Sequence, residues 1–155
     1  MICRFLWEGG DAELPTRRRL ASEVETQAKS VFSKSDIAFS PKSVGGALLW
    51  LSELTPPVLS QDAARFSRRA FCPPELFVMA TDFLYRDQNV DYGVNLLLND
   101  KNRTAICQYC LLGWERFDRV LEYAVAQFDY LHKGIGGGWG QYLVLDCASK
   151  LEDFE

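Results

Sequence analysis

The stretch Gln61 to Leu84, QDAARFSRRAFCPPELFVMATDFL, decides how the rest of the chain is read. Ser60 offers an N-cap, and a helix over residues 60–70 would carry Arg65, Arg68 and Arg69 at i, i+3 and i+4, on one face. Cys72-Pro73-Pro74 breaks that helix, and a second one begins at once. Its apolar face is Leu76, Phe77, Ala80, Phe83 and Leu84. The stretch therefore predicts a helix-turn-helix corner with a cationic side.

Upstream, Thr16 is an N-cap for a helix to Phe32, with Leu20, Val24, Ala28 and Val31 at helical spacing. Residues 1–15 read as a short apolar start and a loop at Glu8-Gly9-Gly10-Asp11. Ser40-Pro41 opens another helix, since serine caps free amides and proline at the first position loses no needed donor. Val44, Ala47, Leu48, Leu51 and Leu54 form its apolar face, which Leu49 and Trp50 are expected to widen. Gly45-Gly46 inside it costs roughly 1 kcal/mol per glycine and suggests close approach of another backbone. Thr55-Pro56-Pro57 ends it.

Downstream, Gly93–Leu98 reads as a strand and Asn99–Asn102 as a turn. Thr104–Leu112 is read as a helix capped by Asp100 or Asn102, with a return strand as the alternative. Trp114–Lys133 is expected to be a helix presenting Phe117, Leu121, Ala124, Val125, Phe128 and Leu131, stopped by Gly134. Tyr142–Leu145 is a short strand able to pair with 93–98. The expected fold is α+β, mainly α, in a single domain over 1–155. That domain has an N-terminal segment 1–15, a helical body 16–133, and a glycine-rich loop, strand and acidic tail over 134–155.

Composition narrows the function classes. The chain has 155 residues, 48% hydrophobic and 13% aromatic, enough for a core and opposite to the balance of disorder. With 17 basic and 21 acidic residues the net charge is −4, which opposes broad nonspecific binding to nucleic acid. No apolar run approaches the ~20 residues of a spanning helix, and MICRFLWEGG lacks the features of a signal peptide. Five cysteines, an odd number, with no secretory signal are expected of a reduced, cytoplasmic protein.

Candidate chemistry is thin. Cys107-Gln108-Tyr109-Cys110 is a CxxC, but a zinc site wants four ligands, and the remaining candidates Cys3, Cys72, Cys147 and His132 follow no known spacing. Gly134–Gly140 follows a helix and leads into a strand, the reverse of a phosphate loop, and lacks Gly-Lys-Ser/Thr. It reads as a helix stop with a hairpin or loop. His132 reads as a helix-end histidine near the last carbonyls. Paired carboxylates, HExxH and GxSxG are absent. No catalytic residue, cofactor or metal ligand is assigned. Arg65, Arg68, Arg69, Trp114 and Trp139 are the candidate partner-binding residues, since guanidinium matches carboxylate and phosphate, and aromatics concentrate at interfaces.

Four segments together, FSPKSVGGALLWLSEL, RFSRRAFCPPELFVMATDFLY, NLLLNDKNR and GWGQYLVLD, resemble the small middle component of three-component ABC-ATPase systems, related to Lamassu-type bacterial defence. The resemblance spans roughly Ser40 to Asp146. It implies a non-catalytic adaptor docked on an SMC-like coiled-coil ATPase or its effector nuclease, touching DNA only through the complex and not a membrane. Two rival readings come from other classes. One is a winged-helix-like nucleic-acid binder with 60–70 or 74–86 as recognition helix. The other is a small cysteine-dependent or metal-binding protein.

Overall fold

The caps do what their chemistry demands. In a computed structural model describing residues 1–138 and 140–150, the Thr16 hydroxyl accepts from the Arg19 amide and opens helix α2, Arg17–Phe32. The Ser40 hydroxyl accepts from the Ser43 amide and opens α3, Pro41–Ser52. The fold is α+β and mainly α, and the chain divides into two compact units, Met1–Arg69 and a second beginning at Ala70.

In the first unit, α1 (Ile2–Gly9) is a helix where a loose apolar start was expected. Strand β1 (Ala12–Glu13) follows, then α2, α3 and strand β2 (Arg65–Phe66). β1 pairs antiparallel with β2, Ala12 opposite Phe66. Residues 58–60 run along the other side of β2, through the Leu59–Phe66 bridge and the bonds Ser67 N–H to Val58 O (2.8 Å) and Ser60 N–H to Arg65 O (2.9 Å). Leu6, Leu20, Val24, Val44, Leu48 and Phe66 are among the buried core.

Residues 60–70 are not a helix. The Ser60 hydroxyl donates to Asp62 Oδ1 (2.5 Å), and its oxygen accepts from the amides of Ala64 (3.2 Å) and Arg65 (2.9 Å). These local bonds offer the backbone a turn in place of a helical first turn, and Ala63 closes it at φ 51°. The first limb of the expected corner is thus a turn and a strand.

The second unit begins with α4 (Pro74–Asp87), started by the two prolines as expected. Strand β3 (Leu96–Leu97) occupies the end of the expected 93–98 strand. Helix α5 (Asp100–Cys110) begins inside the expected 99–102 turn and is capped by Asn99, whose side chain accepts from the Asn102 amide, where Asp100 or Asn102 was the expected cap. A 3-10 turn at Trp114–Arg116 leads into α6 (Phe117–Gln127). Strands β4 (Leu131–Gly136) and β5 (Gly140–Leu145) form a hairpin. β5 pairs with β3, Leu96 opposite Leu143, as expected for the last strand.

The helix predicted to reach Lys133 ends at Gln127, and Gly134 is not its stop. Gly134 faces Tyr142 across the hairpin, and a Cβ there would lie 2.4 Å from the Tyr142 ring. The ring fills the space that a side chain would need. Gly138 and Gly140, at φ 93° and 94°, turn the hairpin.

Each unit runs helix, strand, helix, helix, strand, strand, and in each the last-formed strand lies between the other two. That connection is the winged-helix topology, in which the second and third helices form the helix-turn-helix. The paired helices are therefore α2–α3 and α5–α6, not 60–70 and 74–86. Leu111 closes α5 in the left-handed region (φ 53°), which sets the tight turn before α6.

Tyr85 ties α4 to the sheet. Its buried hydroxyl reaches the carbonyls of Val94 (2.7 Å) and Leu143 (3.1 Å) and accepts from the Leu145 amide (3.1 Å). Tyr85→Phe leaves these groups without their partner, so urea denaturation is expected to read a loss of about 1–3 kcal/mol. One turn earlier, burial works to raise the Asp82 carboxyl, but donors from Tyr92 (2.6 Å), Ser149 (2.8 Å) and Arg86 (2.6 Å) outweigh it and hold its pKa below the usual value. A depressed folded-state pKa contributes stability above the unfolded value, ~3.9, which is lost as pH falls through the folded value. Stability titrated below about pH 4 is expected to drop less steeply in Asp82→Asn than in the wild type.

Candidate functional site: two helix faces

Each helix-turn-helix buries one stripe of its second helix and leaves the opposite stripe to solvent. In α3 the buried stripe is Val44, Leu48 and Leu51. Leu49 and Trp50 do not widen it. They point outward, 65% and 80% exposed, with Gly46 one turn before them. A Cβ on Gly46 would meet nothing within 4 Å, so no backbone among the described residues packs there. The C-terminal half of the outer face of α3 is thus apolar, and Lys42 is the one cation the helix carries, where a nucleic-acid reader would carry several.

In α6 the buried stripe is Phe117, Val120, Leu121 and Ala124. Arg116, Arg119, Tyr123, Ala126 and Gln127 lie along the other side and, with Ala70, Phe71 and Pro74, line a groove of about 770 Å³. Phe71 and Tyr123 meet edge to face, centroids 6.0 Å apart. The Arg119 guanidinium sits 5.8 Å from the Tyr123 ring and donates to its hydroxyl (3.3 Å). Gln127 donates to Glu75 (2.5 Å) at the α4 end. The neighbouring carboxylates are engaged elsewhere: Asp118 pairs with Arg103 (3.1 Å), and Glu122 with Lys133. Arg116 has Glu115 at 3.5 Å, whereas Arg119 has no carboxylate within 4.0 Å among the described residues.

The predicted arginine face does not exist as one surface. Arg65 is exposed on β2. Arg68 donates twice to the Trp7 carbonyl (2.7 and 3.1 Å) and stacks on the Trp7 ring at 4.5 Å, while its amide donates to Asp11 (2.8 Å). Arg69 is 4% exposed and donates to the carbonyls of Thr55 (3.2 Å) and Pro56 (3.1 Å). Two of the three guanidinium groups therefore close loops of the first unit. Trp114 is partly exposed at the start of the 3-10 turn. Trp139 lies outside the described residues, as do residues 151–155 of the acidic tail.

Cys107 and Cys110 sit one turn apart on α5, both buried, with the Cys110 thiol 3.8 Å from the Leu76 carbonyl. Burial pushes the Cys3 thiol up, against the pull of the terminal ammonium, which disfavours a thiolate there. His132 is not at a helix end. It stands exposed on β4, with Nε2 2.8 Å from Asp146 Oδ2, and among the described residues no thiol or hydroxyl bonds to its ring. Among the described residues no three His, Cys, Asp or Glu side chains group as a metal site, and no helix is long and apolar enough to cross a membrane.

No family model matches the sequence, and no curated protein or solved structure matches it.

Because Arg69 is a buried structural donor, Arg69→Met is expected to lower stability by about 2 kcal/mol in urea titration. Arg65→Ala, at an exposed position, is expected to change it by under ~0.5 kcal/mol.

Proposed function

We propose that this chain is a non-catalytic adaptor that docks other proteins on the outer faces of its helix-turn-helix pairs. The observation that carries the reading is Trp50, 80% exposed beside Leu49 on the second helix of the first pair. A tryptophan held on a rigid helix presents a large contact area at little entropic cost, and such residues dominate interface energetics. Gly46 one turn away supports it, since a glycine there weakens the helix by roughly 1 kcal/mol and yet leaves room for a partner backbone. The resemblance to the middle component of three-component ABC-ATPase systems assigns the partners: an SMC-like coiled-coil ATPase and an effector nuclease of a bacterial defence complex in the cytoplasm.

Nucleic-acid binding is the second reading, and the winged-helix connection favours it. The charges oppose it. The unit from Ala70 onward holds seven basic and thirteen acidic residues, and Met1–Arg69 holds ten and eight. On α4 the lone base Arg86 is tied to Asp82 at 2.6 Å. Binding that runs on counterion release needs a cationic stripe that neither α3 nor α6 supplies.

Co-expression with a coiled-coil ATPase and effector from the same gene cluster tests the proposal. A stable complex is expected on size exclusion at moderate salt, and Trp50→Ala is expected to weaken it at least tenfold, about 1.4 kcal/mol. Recovery of no complex, or a complex indifferent to both Trp50→Ala and Leu49→Asp, rejects the adaptor role for this face.

A further inference from the structure

We propose that the groove between the start of α4 and the outer side of α6 binds an acidic, aromatic or aliphatic segment of a partner protein. The proposal rests on the protein-docking reading but on a different surface from Trp50, so each can fail alone. The floor is apolar: Phe71, Pro74, Tyr123 and Ala126. The cations are Arg116, the N-cap of α6, and Arg119 in its first turn, both lining the groove. Arg119 is the telling residue. It is fixed by the Tyr123 ring and hydroxyl and has no carboxylate of its own among the described residues. Carboxylates on the same helix point to other partners, Asp118 to Arg103 and Glu122 to Lys133, and do not neutralise it. A guanidinium held over an aromatic ring accepts a carboxylate bidentately while its stem and ring take an apolar side chain.

Shape selects a peptide over a compact metabolite. From Arg116, at the end of the 3-10 turn, to Gln127 the lining runs the three turns of α6, about 16 Å at 1.5 Å per residue. That length suits an amphipathic helix of two or three turns, or about five extended residues. Nucleic acid is disfavoured because Glu75 and Glu115 stand at the rim, 2.5 Å from Gln127 and 3.5 Å from Arg116. They tolerate a few carboxylates between apolar anchors, but repel a continuous phosphate backbone. The unit's overall negative charge acts little at this point, since exposed charges beyond ~8 Å are screened at physiological salt.

The experiment selects dodecamers from a random phage-displayed library on the full chain, then measures the recovered peptide, fluorescein-labelled, by polarisation. The expected peptides combine Phe, Leu or Trp with Asp or Glu. Arg116→Glu with Arg119→Glu is expected to weaken binding at least tenfold, and changing the peptide's acids to lysine is expected to restore affinity to that variant. Arg119→Gln, which keeps the neutral packing, is expected to lose several-fold. Trp50→Ala is expected to leave the peptide bound. Recovery of no peptide, recovery of neutral or basic peptides, or binding indifferent to charge reversal overturns the proposal. So does displacement of the peptide by a duplex DNA whose own binding disappears with the same reversal, which would make the groove a phosphate site.

Discussion

The second unit depends on one hydroxyl. Tyr85 sits on the buried side of α4 and satisfies groups from β5 and from the segment leading to β3. β3 is only two residues long, and the bonds from Leu98 N–H to Gln141 O and from Gly93 N–H to Leu145 O, both 2.8 Å, carry its pairing with β5 to either side. A buried tyrosine that accepts and donates between these bonds ties both segments to α4, and stacks on Tyr92 at 5.9 Å. α4 also carries Pro74, which lines the groove, and Glu75, which accepts from Gln127 on the opposite side. The other wall of the groove, α6, packs on the same helix through Phe117 against Phe77 at 5.3 Å.

Arginine placement follows a parallel logic. Arg68 and Arg69 are used where the chain turns without regular structure and carbonyls would otherwise lack donors. Arg103 does the same in the second unit, donating to the Leu98 carbonyl (3.2 Å), to Asp118 and to Gln141 while stacking on Phe117 at 4.7 Å. A fork of five donors suits this task better than a lysine. The consequence for function is that arginine count overstates the cationic surface. Of the arginines that stay outward, Arg4, Arg19 and Arg86 are paired with carboxylates four residues away on their own helices, which leaves Arg17 and Arg18 at the start of α2, Arg65 on β2, and Arg116 and Arg119 at the groove.

Much of the secondary structure was legible because its signals are local. Thr16, Ser40 and the two prolines at 73 and 74 are caps and breakers whose effect needs no tertiary partner, and the helices they open are present. The failures came where local signals compete. Ser60 is as good a turn former as an N-cap, and Asp62 two residues on decides for the turn. Trp114 to Lys133 kept helical spacing by coincidence: Phe128 and Leu131 are buried, but Leu131 gets there as a strand residue opposite Leu145. Leu49 and Trp50 look like core on composition, and only the wrap of α3 on its own unit shows that one stripe suffices. The candidate site was mostly illegible for the same reason, since the Phe71, Arg119 and Tyr123 cluster joins residues about fifty positions apart. Trp114 and Tyr123 belonged to a helix already read as amphipathic, and nothing periodic marks which side of its polar face is concave.

The repeated topology leaves little trace in the sequence because a winged-helix connection constrains few residue types. Strands of two residues and helices of eight to sixteen can satisfy it with almost any apolar pattern, so two units share the architecture without sharing a motif. What differs between them is the outward side of the second helix: glycine, leucine and tryptophan on α3, arginine and tyrosine on α6. On the adaptor reading this divergence is required. A connector must bind two partners without confusing them, and identical docking faces would let either partner occupy both. An apolar face and a guanidinium-lined groove discriminate through opposite terms. The first rejects a charged segment by desolvation and the second favours it by pairing. Specificity of that kind does not require a new fold for the second site, only a second copy of the old one with its exposed stripe rewritten.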